Sequence, residues 1–431
     1  MSEDRRDVQP RVLMVTTRRW VPTARLAMTL ARAGFIVEAV CPSKHPISKT
    51  SCAGRLHAYH GLTPLESLAD ATTKQRPDLL IPGDDLATLH LQNLHARERM
   101  RAEKGSETCD LIERSLGAST SFRILQARSE FLEFASRAGI RVPQTEVVSS
   151  VSELREWTSK FGFPAVLKAD GTSSGEGVRI LHNDEEAKIA FGALSAPPSF
   201  SRALKRALLD QDYNLIRPSL FRSRRVVNAQ VYIPGREATS ALACWKGRVL
   251  AALHFEVLNK SRSEGPATVL RLIENAEISA TSEKIVQTLN LSGIHGLDFM
   301  LETGTGNAYL IEINPRPTQV GHLTLGPGRD LPAALYSAVT GRTLQVAPEV
   351  TEKDTIVLFP QEWLRDSKSA FLKSGYHDVP WEEPALIDAC IRSSVKWGVW
   401  SSRQERVQAF WDIPRASYEC STPKTERESK R

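Results

Sequence analysis

Short apolar runs alternate with helix-spaced segments along the first part of the chain. Arg11–Thr16 (RVLMVT), Phe35–Val40 (FIVEAV) and Asp78–Pro82 (DLLIP) have the length and composition of buried strands. Between the first two, Ala24–Ala33 repeats Leu and Ala at helical spacing and ends at Gly34. Strands separated by helices predict a parallel, doubly wound sheet. The first turn reads Thr-Thr-Arg-Arg-Trp and lacks the glycine pattern of dinucleotide-binding folds, so NAD is not indicated.

The pattern changes after a helix predicted over Ser121–Ala138. Gly139 closes this helix, and Pro143 indicates an extended connection into a new unit. From there to Gly341 strands and hairpins become frequent. Beyond Gly341 the chain is rich in Trp and Pro, and it ends in a polar tail, TPKTERESKR, which we expect to be disordered. The chain therefore combines an α/β region with an α+β region and a C-terminal extension.

Composition and charge restrict the class of protein that the sequence can encode. The 431 residues are 41% hydrophobic and 25% charged, which is ordinary for globular proteins and predicts two or three domains. No stretch approaches the roughly 20 apolar residues of a spanning helix, and no signal-peptide core is evident. Six scattered cysteines favour neither a zinc site nor a disulfide framework. We therefore expect a cytoplasmic protein without a membrane partner. The net charge of +6 permits phosphorylated ligands but does not by itself argue for nucleic acid.

The most informative stretch is HGLDFMLETGTGNAYLIEINPRPTQVGH, residues 295–322. Two apolar runs flank a turn with two glycines, which predicts a β-hairpin. A turn centred near Thr305 places Asp298 opposite Glu312, and Asn314 shares their face because strand side chains alternate. The reverse face is predicted to carry Phe299, Leu301, Ile311 and Ile313.

Two opposed carboxylates and an amide oxygen are hard ligands that suit Mg²⁺. Like charges across a ladder are unfavourable without a counter-ion. The pattern therefore favours a metal site over the alternative, an amphipathic hairpin whose polar face lies in water. Arg316 lies on the same face if the strand continues, where it could offset charge on a transferred phosphoryl group.

A second stretch, FGFPAVLKADGTSSGEGVRIL (161–181), leads from a strand through a small-residue loop into another strand. Small residues let backbone N–H groups approach an anion, and Lys168 supplies a point charge for phosphate. The G-K-[ST] sequence of a P-loop is missing and no helix follows. A glycine-rich hairpin without function is the alternative, but the carboxylate hairpin in the same chain favours phosphate binding.

Together these two segments resemble the ATP-grasp superfamily. The resemblance rests on L-K-A-D-G-T-S-S-G-E-G-V, then G-L-D-F-M-L, then L-I-E-I-N-P-R, and covers roughly Val12 to Gly341. In that family two hairpins of this kind enclose MgATP. The resemblance implies a Rossmann-like pre-ATP-grasp domain (1–120) and a two-lobed ATP-grasp domain (121–341, lobes about 145–230 and 231–341), followed by a C-terminal cap (342–418) and a disordered tail (419–431).

For individual residues the resemblance implies three roles. ATP would be held by Arg128, Lys168, Ser173, Ser174, Gly175, Gly177, Gln230, Val231, Tyr232, Ile233 and Glu237. Mg²⁺ (or Mn²⁺) would be held by Asp298, Glu312 and Asn314. Arg316 resembles the arginine that steadies the transferred phosphate. In the segment NAQVYIPGREAT, which resembles the interlobe hinge, the backbone would pair with adenine, and Glu237 would meet the ribose or a nearby Lys.

The sequence departs from the family in three places. Val231 stands where the hinge usually has an acid, so the ribose contact differs. INPRPTQVGH is similar to the N-x-R-x-Q-V-E-H of biotin carboxylases, but its spacing is one residue longer and Gly321 replaces the catalytic glutamate. This disfavours bicarbonate chemistry on biotin. No glutaminase segment with a nucleophilic Cys is evident, which weakens a carbamoyl-phosphate role.

Two further segments carry charge. His254, Glu256 and Arg271 flank a mobile-looking stretch, NKSRSEGPA (259–267), which could close over substrate while Arg271 pairs with a carboxylate. The alternative there is an exposed loop with a solvated Arg. The densest basic run, Arg217–Arg225, could bind an acidic substrate or RNA phosphates. Its alternative is a solvated face, and too few aromatic residues are nearby to support base stacking.

These observations predict an ADP-forming ligase that joins a carboxylate to an amine through an acyl phosphate, with Lys168, Arg271 and Arg316 as catalytic residues. This scheme needs no side-chain nucleophile. Its rivals are a nucleotide-sensing or partner-binding protein of the same fold, a basic RNA-associated protein and a phosphohistidine phosphotransferase. The expected partners are a small-molecule acid and amine, whose identities stay open, and a homodimer is the prior expectation.

Overall fold

The N-terminal region folds into a parallel sheet. In the computed structural model, which describes residues 9–101, 106–172, 175, 177–210, 212–343, 348–393 and 403–412, this sheet has the order β3-β2-β1-β4. Its strands are β1 (Arg11–Val15), β2 (Ile36–Cys41), β3 (Leu56–Ala58) and β4 (Leu79–Pro82). The helices around it are α1 (Val21–Arg32), α2 (Pro64–Gln75), α3 (Asp85–Arg101) and α4 (Glu107–Leu116). The order of the strands reverses between β1 and β4, which places a crevice at their carboxyl ends.

The helix predicted over Ser121–Ala138 is two helices. They are α5 (Phe122–Gln126) and α6 (Arg128–Arg137). The chain is extended at Ala127, with φ −111° and ψ 117°. This break makes Arg128 the first residue of α6, where its side chain is directed by the helix end rather than by the middle of a continuous helix.

A four-stranded antiparallel sheet follows, and we refer to it with its helices as the small lobe. Its strands are β5 (Thr145–Val148), β6 (Ala165–Ala169), β7 (Val178–Leu181) and β8 (Val227–Val231), in the order β5-β8-β6-β7. Its helices are α7 (Val151–Phe161), α8 (Asp184–Ser195), α9 (Phe200–Asp210) and α10 (Ile216–Leu220). The pair β6–β7 confirms the predicted glycine-rich hairpin.

A seven-stranded sheet forms what we call the large lobe. Its order is β13-β12-β9-β10-β11-β14-β15. The strands are β9 (Gly235–Trp245), β10 (Arg248–Lys260), β11 (Ala267–Leu272), β12 (Gly293–Glu302), β13 (Ala308–Asn314), β14 (Thr355–Leu358) and β15 (Tyr376–Asp378). The accompanying helices are α11 (Ala276–Thr288) and α12 (Leu331–Thr340). Residues 232–234 alone connect β8 of the small lobe to β9, so the two lobes meet at the segment predicted to be the hinge.

The chain beyond Gly341 joins the same large-lobe sheet. β14 pairs with β11, and β15 pairs with β14. Helices α13 (Gln361–Arg365), α14 (Phe371–Ser374), α15 (Pro384–Ser393) and α16 (Arg403–Trp411) complete this region. Buried Trp363 packs against Phe410 at 5.3 Å between ring centroids, as expected of a tryptophan in a packed core. The predicted tail at 419–431 lies outside the described residues.

A buried charged cluster joins the C-terminal region to the N-terminal sheet. Asp378 on β15 accepts a hydrogen bond from Arg25 of α1 at 2.6 Å and lies 2.7 Å from Nε2 of His322. Burial opposes ionisation, but Arg25 and His322 hold the pKa of Asp378 at about 2. His322 is therefore a buried, hydrogen-bonded residue of this cluster. Within the described ranges, no helix has both the length and the apolar character needed to cross a bilayer.

Candidate functional site

The carboxylate hairpin pairs Asp298 directly with Glu312, as the sequence predicts. The register then shifts by one residue, so that Phe299 lies opposite Leu310. This shift corrects one expectation, because Leu310 rather than Ile311 joins the buried reverse face with Phe299. Asp298, Glu312 and Asn314 keep a common face because the shift falls between them and the turn.

Two side chains orient the carboxylate of Asp298. Thr239 on β9 donates to Oδ1 at 2.8 Å, and the amide of Asn314 donates to Oδ2 at 2.9 Å. Burial, and then the negative charge of Glu312, raise the pKa of Asp298 to about 6. A carboxylate whose ionisation is disfavoured by a neighbouring carboxylate is suited to a divalent cation. The oxygen donors of this face therefore fit Mg²⁺.

The acidic residues do not complete such a metal site by themselves. In the described part of the chain, no group of three or more His, Cys, Asp or Glu side chains could hold a metal ion. A cation between Asp298 and Glu312 would therefore take much of its coordination from other oxygens, such as the amide of Asn314, water or phosphate. This is the ordinary condition of Mg²⁺ bound together with a nucleotide.

Arg128 lies between the two lobes and contacts an acidic residue of each. Its Nη2 donates to Glu312 of the large lobe at 3.0 Å, and its Nη1 donates to Asp170 of the small lobe at 3.4 Å. Burial opposes its charge, but Glu312 and Asp170 raise the pKa of Arg128 above its usual value. Its Nε is buried without a partner among the described residues. Arg128 thus occupies the cleft that the sequence assigns to nucleotide phosphates.

Lys168 is the second cation of the cleft. It lies on β6 and is only 6% exposed. Burial, followed by the charge of Arg128, lowers the pKa of Lys168 to about 8. The backbone carbonyl of Lys168 is 3.5 Å from the amide of Asn228, which also donates to Asp170 at 2.9 Å. Asp170 and Asn228 are site residues that the sequence reasoning missed, although Asp170 directly precedes the glycine-rich loop.

The glycine-rich loop closes against the large lobe. Gly175 has φ +73°, and a Cβ on it would lie 1.4 Å from the carbonyl oxygen of Glu264 in the β10–β11 loop. A Cβ on Gly177 would lie 2.0 Å from the hydroxyl of Thr172. Both glycines are therefore required by close packing. Two further predicted phosphate-binding residues, Ser173 and Ser174, lie outside the described residues.

The predicted hinge residues lie partly in β8 and partly in the connection from β8 to β9. Gln230 and Val231 belong to β8; the side chain of Gln230 donates to Thr145 at 2.9 Å, and the N–H of Val231 donates to the carbonyl of Gln144 at 2.9 Å. Tyr232 and Ile233 lie outside both sheets, where backbone groups are best placed to meet a ligand. Their adenine contact stays a prediction.

Glu237 forms an ion pair with Lys260 at 2.7 Å. Of the two partners that the resemblance implies for Glu237, a ribose or a nearby lysine, the structure supplies the lysine. Glu237 and Thr239 are two residues apart on β9, so Glu237 shares the face of Asp298.

Arg316 is held by the N-terminal region. Its Nε donates to Oδ1 of Asp85 at 2.7 Å, and its Nη2 is 3.3 Å from Oδ2. The guanidinium lies over the ring of Trp20, 5.3 Å from the centroid, and Nη2 also donates to Asn314 at 3.3 Å. Thr88 of α3 donates to the carbonyl of Pro315 at 3.1 Å. The crevice at the carboxyl ends of β1 and β4 therefore opens directly beside the carboxylate hairpin.

The comparisons with known proteins agree with this geometry. The family model "Carbamoyl-phosphate synthase L chain, ATP binding domain" matches residues 127–324, which include both hairpins. The carbamoyl phosphate synthase large chain of Thermotoga maritima is 23% identical over 300 residues, 68% of this chain and 25% of that protein. Acetyl-CoA carboxylase 2 of Arabidopsis thaliana is 26% identical over 201 residues, 44% of this chain and 7% of that protein. The chain thus spans a quarter or less of these relatives.

Solved structures match over more of the chain. N5-carboxyaminoimidazole synthetase from Staphylococcus aureus, complexed with ADP, has a TM-score of 0.54 at 17% identity and covers 78% of both chains. The biotin carboxylase domain of 2-oxoglutarate carboxylase from Hydrogenobacter thermophilus has a TM-score of 0.53 at 16% identity, with 77% of this chain and 70% of that one covered. Residues 127–324 thus match an ATP-binding domain model, and the chain shares the fold of these solved structures. Its predicted fold class, a Rossmann-like domain followed by a two-lobed ATP-grasp domain, is confirmed.

Arg271, which was predicted to be catalytic, does not lie at this site. Arg271 lies opposite Glu256 on β10, which lies opposite Ala238 on β9 and so aligns with Phe299 rather than Asp298. Directly paired residues share a face, so Arg271 lies on the reverse face of the sheet from the metal carboxylates. There it donates to Glu256 at 2.6 Å. Arg271 is therefore withdrawn as a residue of the site.

Two further residues that the sequence reasoning missed come from outside the ATP-grasp hairpins. Asp85 and Trp20 follow β4 and β1, and they are separated from Arg316 by more than two hundred residues. Their signal in the sequence is position, since each lies in the short segment after a predicted strand of the parallel sheet, at the edge where ligands usually bind.

Proposed function

We propose that the protein is an ATP-dependent, ADP-forming ligase that joins a carboxylate to an amine through an acyl-phosphate intermediate. The observation that carries this proposal is the convergence of two opposed carboxylates, Asp298 and Glu312, with three cations, Arg128, Lys168 and Arg316, at one cleft between two lobes. The matched family model is an ATP-binding domain, and the two solved structures named above hold ADP, which supports nucleotide binding in the same cleft.

In this reaction, different residues of the chain would bind the phosphates, hold the metal ion and contact the transferred phosphoryl group. Arg128 and Lys168 would neutralise the phosphates of ATP, and the glycine-rich loop would cover them. Mg²⁺ (or Mn²⁺), held by Asp298, Glu312 and Asn314, would supply charge neutralisation on the phosphate oxygens. Arg316 would contact the phosphoryl group while the substrate carboxylate attacks it, and the amine would then displace phosphate. Closure of the glycine-rich loop onto Glu264 would keep water from the acyl phosphate.

The substrates would enter beside Arg316 through the crevice of the N-terminal sheet. Asp85 binds two nitrogens of the Arg316 guanidinium, which fixes its plane toward the cleft. A side chain is sterically allowed at position 321, because the nearest atoms to a Cβ there are 3.6 Å away and φ is not positive. The missing glutamate is thus a chemical difference from biotin carboxylases. It supports a reaction other than the transfer of bicarbonate to biotin.

The test is release of ADP and phosphate from MgATP over a panel of amino acids, dipeptides, hydroxy acids and bicarbonate with added amines. Wild type would be compared with Glu312→Gln and with Glu302→Gln, a matched change at the tip of the same hairpin, where the Glu302 carboxylate accepts hydrogen bonds from Thr305 and Asn307. Turnover that needs one acid–amine pair, is lost in Glu312→Gln and persists in Glu302→Gln supports the ligase.

Two other outcomes separate the alternatives. MgATP that raises the melting temperature while no acid–amine pair is consumed supports a nucleotide-sensing protein of the same fold. Absence of any MgATP-dependent shift contradicts nucleotide binding and with it the ligase.

A further inference from the structure

Helix α9 presents its large apolar side chains to solvent. Ala203 and Ala207 are buried, at 0% and 4% exposure, while Phe200, Leu204 and Leu208 are 52%, 42% and 73% exposed. The three exposed residues are spaced by four and form one continuous stripe along the helix. The helix thus buries its alanines and leaves its larger apolar side chains exposed, the reverse of an ordinary surface helix.

Helix α10 lies against α9 and adds two more exposed apolar side chains. Leu220 and Phe221, at its end, are 62% and 72% exposed, and Arg217 lies 5.8 Å from the centroid of the Phe221 ring. We name the exposed face formed by α9, α10 and the chain to Val226 the α9–α10 face. Clustered exposed apolar side chains mark interaction sites, whereas single ones do not.

The α9–α10 face also holds most of the chain's excess charge. Residues 200–226 contain seven Lys and Arg but two Asp, a net charge of +5, against +6 for all 431 residues. One of the two acids, Asp212, is buried and paired with Arg206. Lys205, Arg222 and Arg224 are exposed. The face therefore offers a leucine and phenylalanine stripe beside a strong positive field.

We propose that the α9–α10 face docks an acidic, amphipathic helix of a partner protein. Apolar anchors at i, i+4 and i+8 are the pattern by which helices pack side by side or enter grooves. Acidic residues flanking the partner's apolar stripe would meet Lys205, Arg222 and Arg224, and would steer the approach. The proposal concerns a surface outside the nucleotide cleft and does not depend on the ligase reaction.

Other occupants fit the observations less well. A second copy of the chain would bring one +5 segment against another, and like charges oppose that contact. RNA is disfavoured because residues 200–226 hold three aromatic residues, Phe200, Tyr213 and Phe221, too few for base stacking along a strand. A membrane would need α9 to insert its whole apolar face, but Ala203 and Ala207 on that face are already buried within the protein.

A hydrogen bond connects the α9–α10 face to the nucleotide cleft, so docking at this face would affect the cleft. The carbonyl of Val226 accepts a hydrogen bond from the N–H of Asp170 at 3.0 Å, and the N–H of Arg225 donates to the carbonyl of Ser195 at 3.2 Å. Asp170 starts the glycine-rich loop and contacts Arg128. A partner bound at 200–226 is thus one hydrogen bond from Asp170, which lies beside the predicted phosphate-covering loop.

The test is selection of a phage-displayed library of random peptides of about 20 residues, long enough for roughly 30 Å of helix, on the full-length protein. The double variant Leu204→Ser, Leu208→Ser serves for counter-selection. We expect enriched peptides with Leu or Phe spaced by three or four residues and flanked by Asp or Glu. Synthetic versions should bind wild type with an affinity that falls at least about tenfold in the double variant and in Lys205→Glu.

The matched control is Leu62→Ser, since Leu62 is 75% exposed on the N-terminal region. It should leave peptide binding unchanged, and all variants should keep the wild-type melting temperature because the altered side chains are exposed. Lys205→Glu keeps the test valid if the double serine variant unfolds. Failure to enrich peptides that depend on Leu204 and Leu208, or enrichment of peptides without acidic residues, overturns the proposal. So does binding to vesicles of one-third phosphatidylglycerol that the same substitutions abolish, which would identify a membrane surface instead.

Discussion

Replacement of Arg128 by Gln should destabilise the protein and weaken nucleotide binding together. Arg128 contacts Glu312 at 3.0 Å and Asp170 at 3.4 Å, with side-chain exposures of 11%, 35% and 24% for the three residues. Breaking a fully buried ion pair costs about 3–5 kcal/mol, whereas an exposed pair contributes at most about 1 kcal/mol. Because both carboxylates keep some contact with solvent, we expect a loss of about 2 kcal/mol for Arg128→Gln.

The same substitution removes a cation from the predicted phosphate site. A hydrogen bond to a charged group contributes about 1.5–3 kcal/mol, so the Kd for MgATP should rise roughly 10- to 100-fold. Arg137→Gln is the matched control, since Arg137 lies on the same helix but is 77% exposed and pairs with Glu133 on the surface. It should change neither quantity measurably.

A double-mutant cycle isolates the pair itself. Glu312→Gln removes the charge that Arg128 balances, so the double variant should be less destabilised than the sum of the two single variants, by about 1 kcal/mol or more. The assays are urea unfolding without nucleotide and calorimetric titration with MgATP. Strict additivity, or an Arg128→Gln variant indistinguishable from Arg137→Gln, would refute the view that Arg128 holds both lobes through their carboxylates.

Three further outcomes are expected. Gly175→Ala should lower turnover and nucleotide affinity, because its Cβ would meet the Glu264 carbonyl and φ is positive, whereas Gly192→Ala, with open space around it, should be neutral in the same steady-state assay. The affinity for ATP should fall as the pH rises through about 8, where Lys168 loses its proton, and this dependence should vanish in Lys168→Met when measured by calorimetry across that range. Binding of Mg²⁺ should weaken as the pH falls through about 6, because a proton on Asp298 competes with the cation; titrations in which the Mg²⁺ affinity is flat from pH 7 to pH 5 would count against Asp298 as a ligand.

The local parts of this site were predictable because they depend on short-range geometry. A two-glycine turn between apolar runs fixes which residues face each other, so Asp298 and Glu312 could be paired from the sequence. Strand alternation then places Asn314 on their side. The one-residue register shift after Asp298 has no comparable sequence signal, and it moves Leu310 rather than Ile311 into the core.

The parts that failed depend on pairing between distant strands. The face of Arg271 is set by the register of β11 on β10, β10 on β9 and β9 on β12, and a slip of one residue at any of these steps reverses it. The sequence around Arg271 does not fix those registers. The sheet positions of β14 and β15 are equally non-local, because they join β11 after an excursion of more than eighty residues.

The position of Arg316 shows how the distant and local parts combine. A hydrogen-bonded chain runs from Asp85 through Arg316 to Asn314 and on to Asp298. The amide nitrogen of Asn314 donates to Asp298, and its amide oxygen accepts from Arg316. The orientation of Asn314 is therefore fixed from both ends. An amide oxygen has two acceptor sites, which leaves one for a cation beside Asp298 and Glu312. The N-terminal region therefore does more than border the crevice of the parallel sheet: through Asp85 it sets the direction in which the predicted metal ligand Asn314 presents its remaining lone pair.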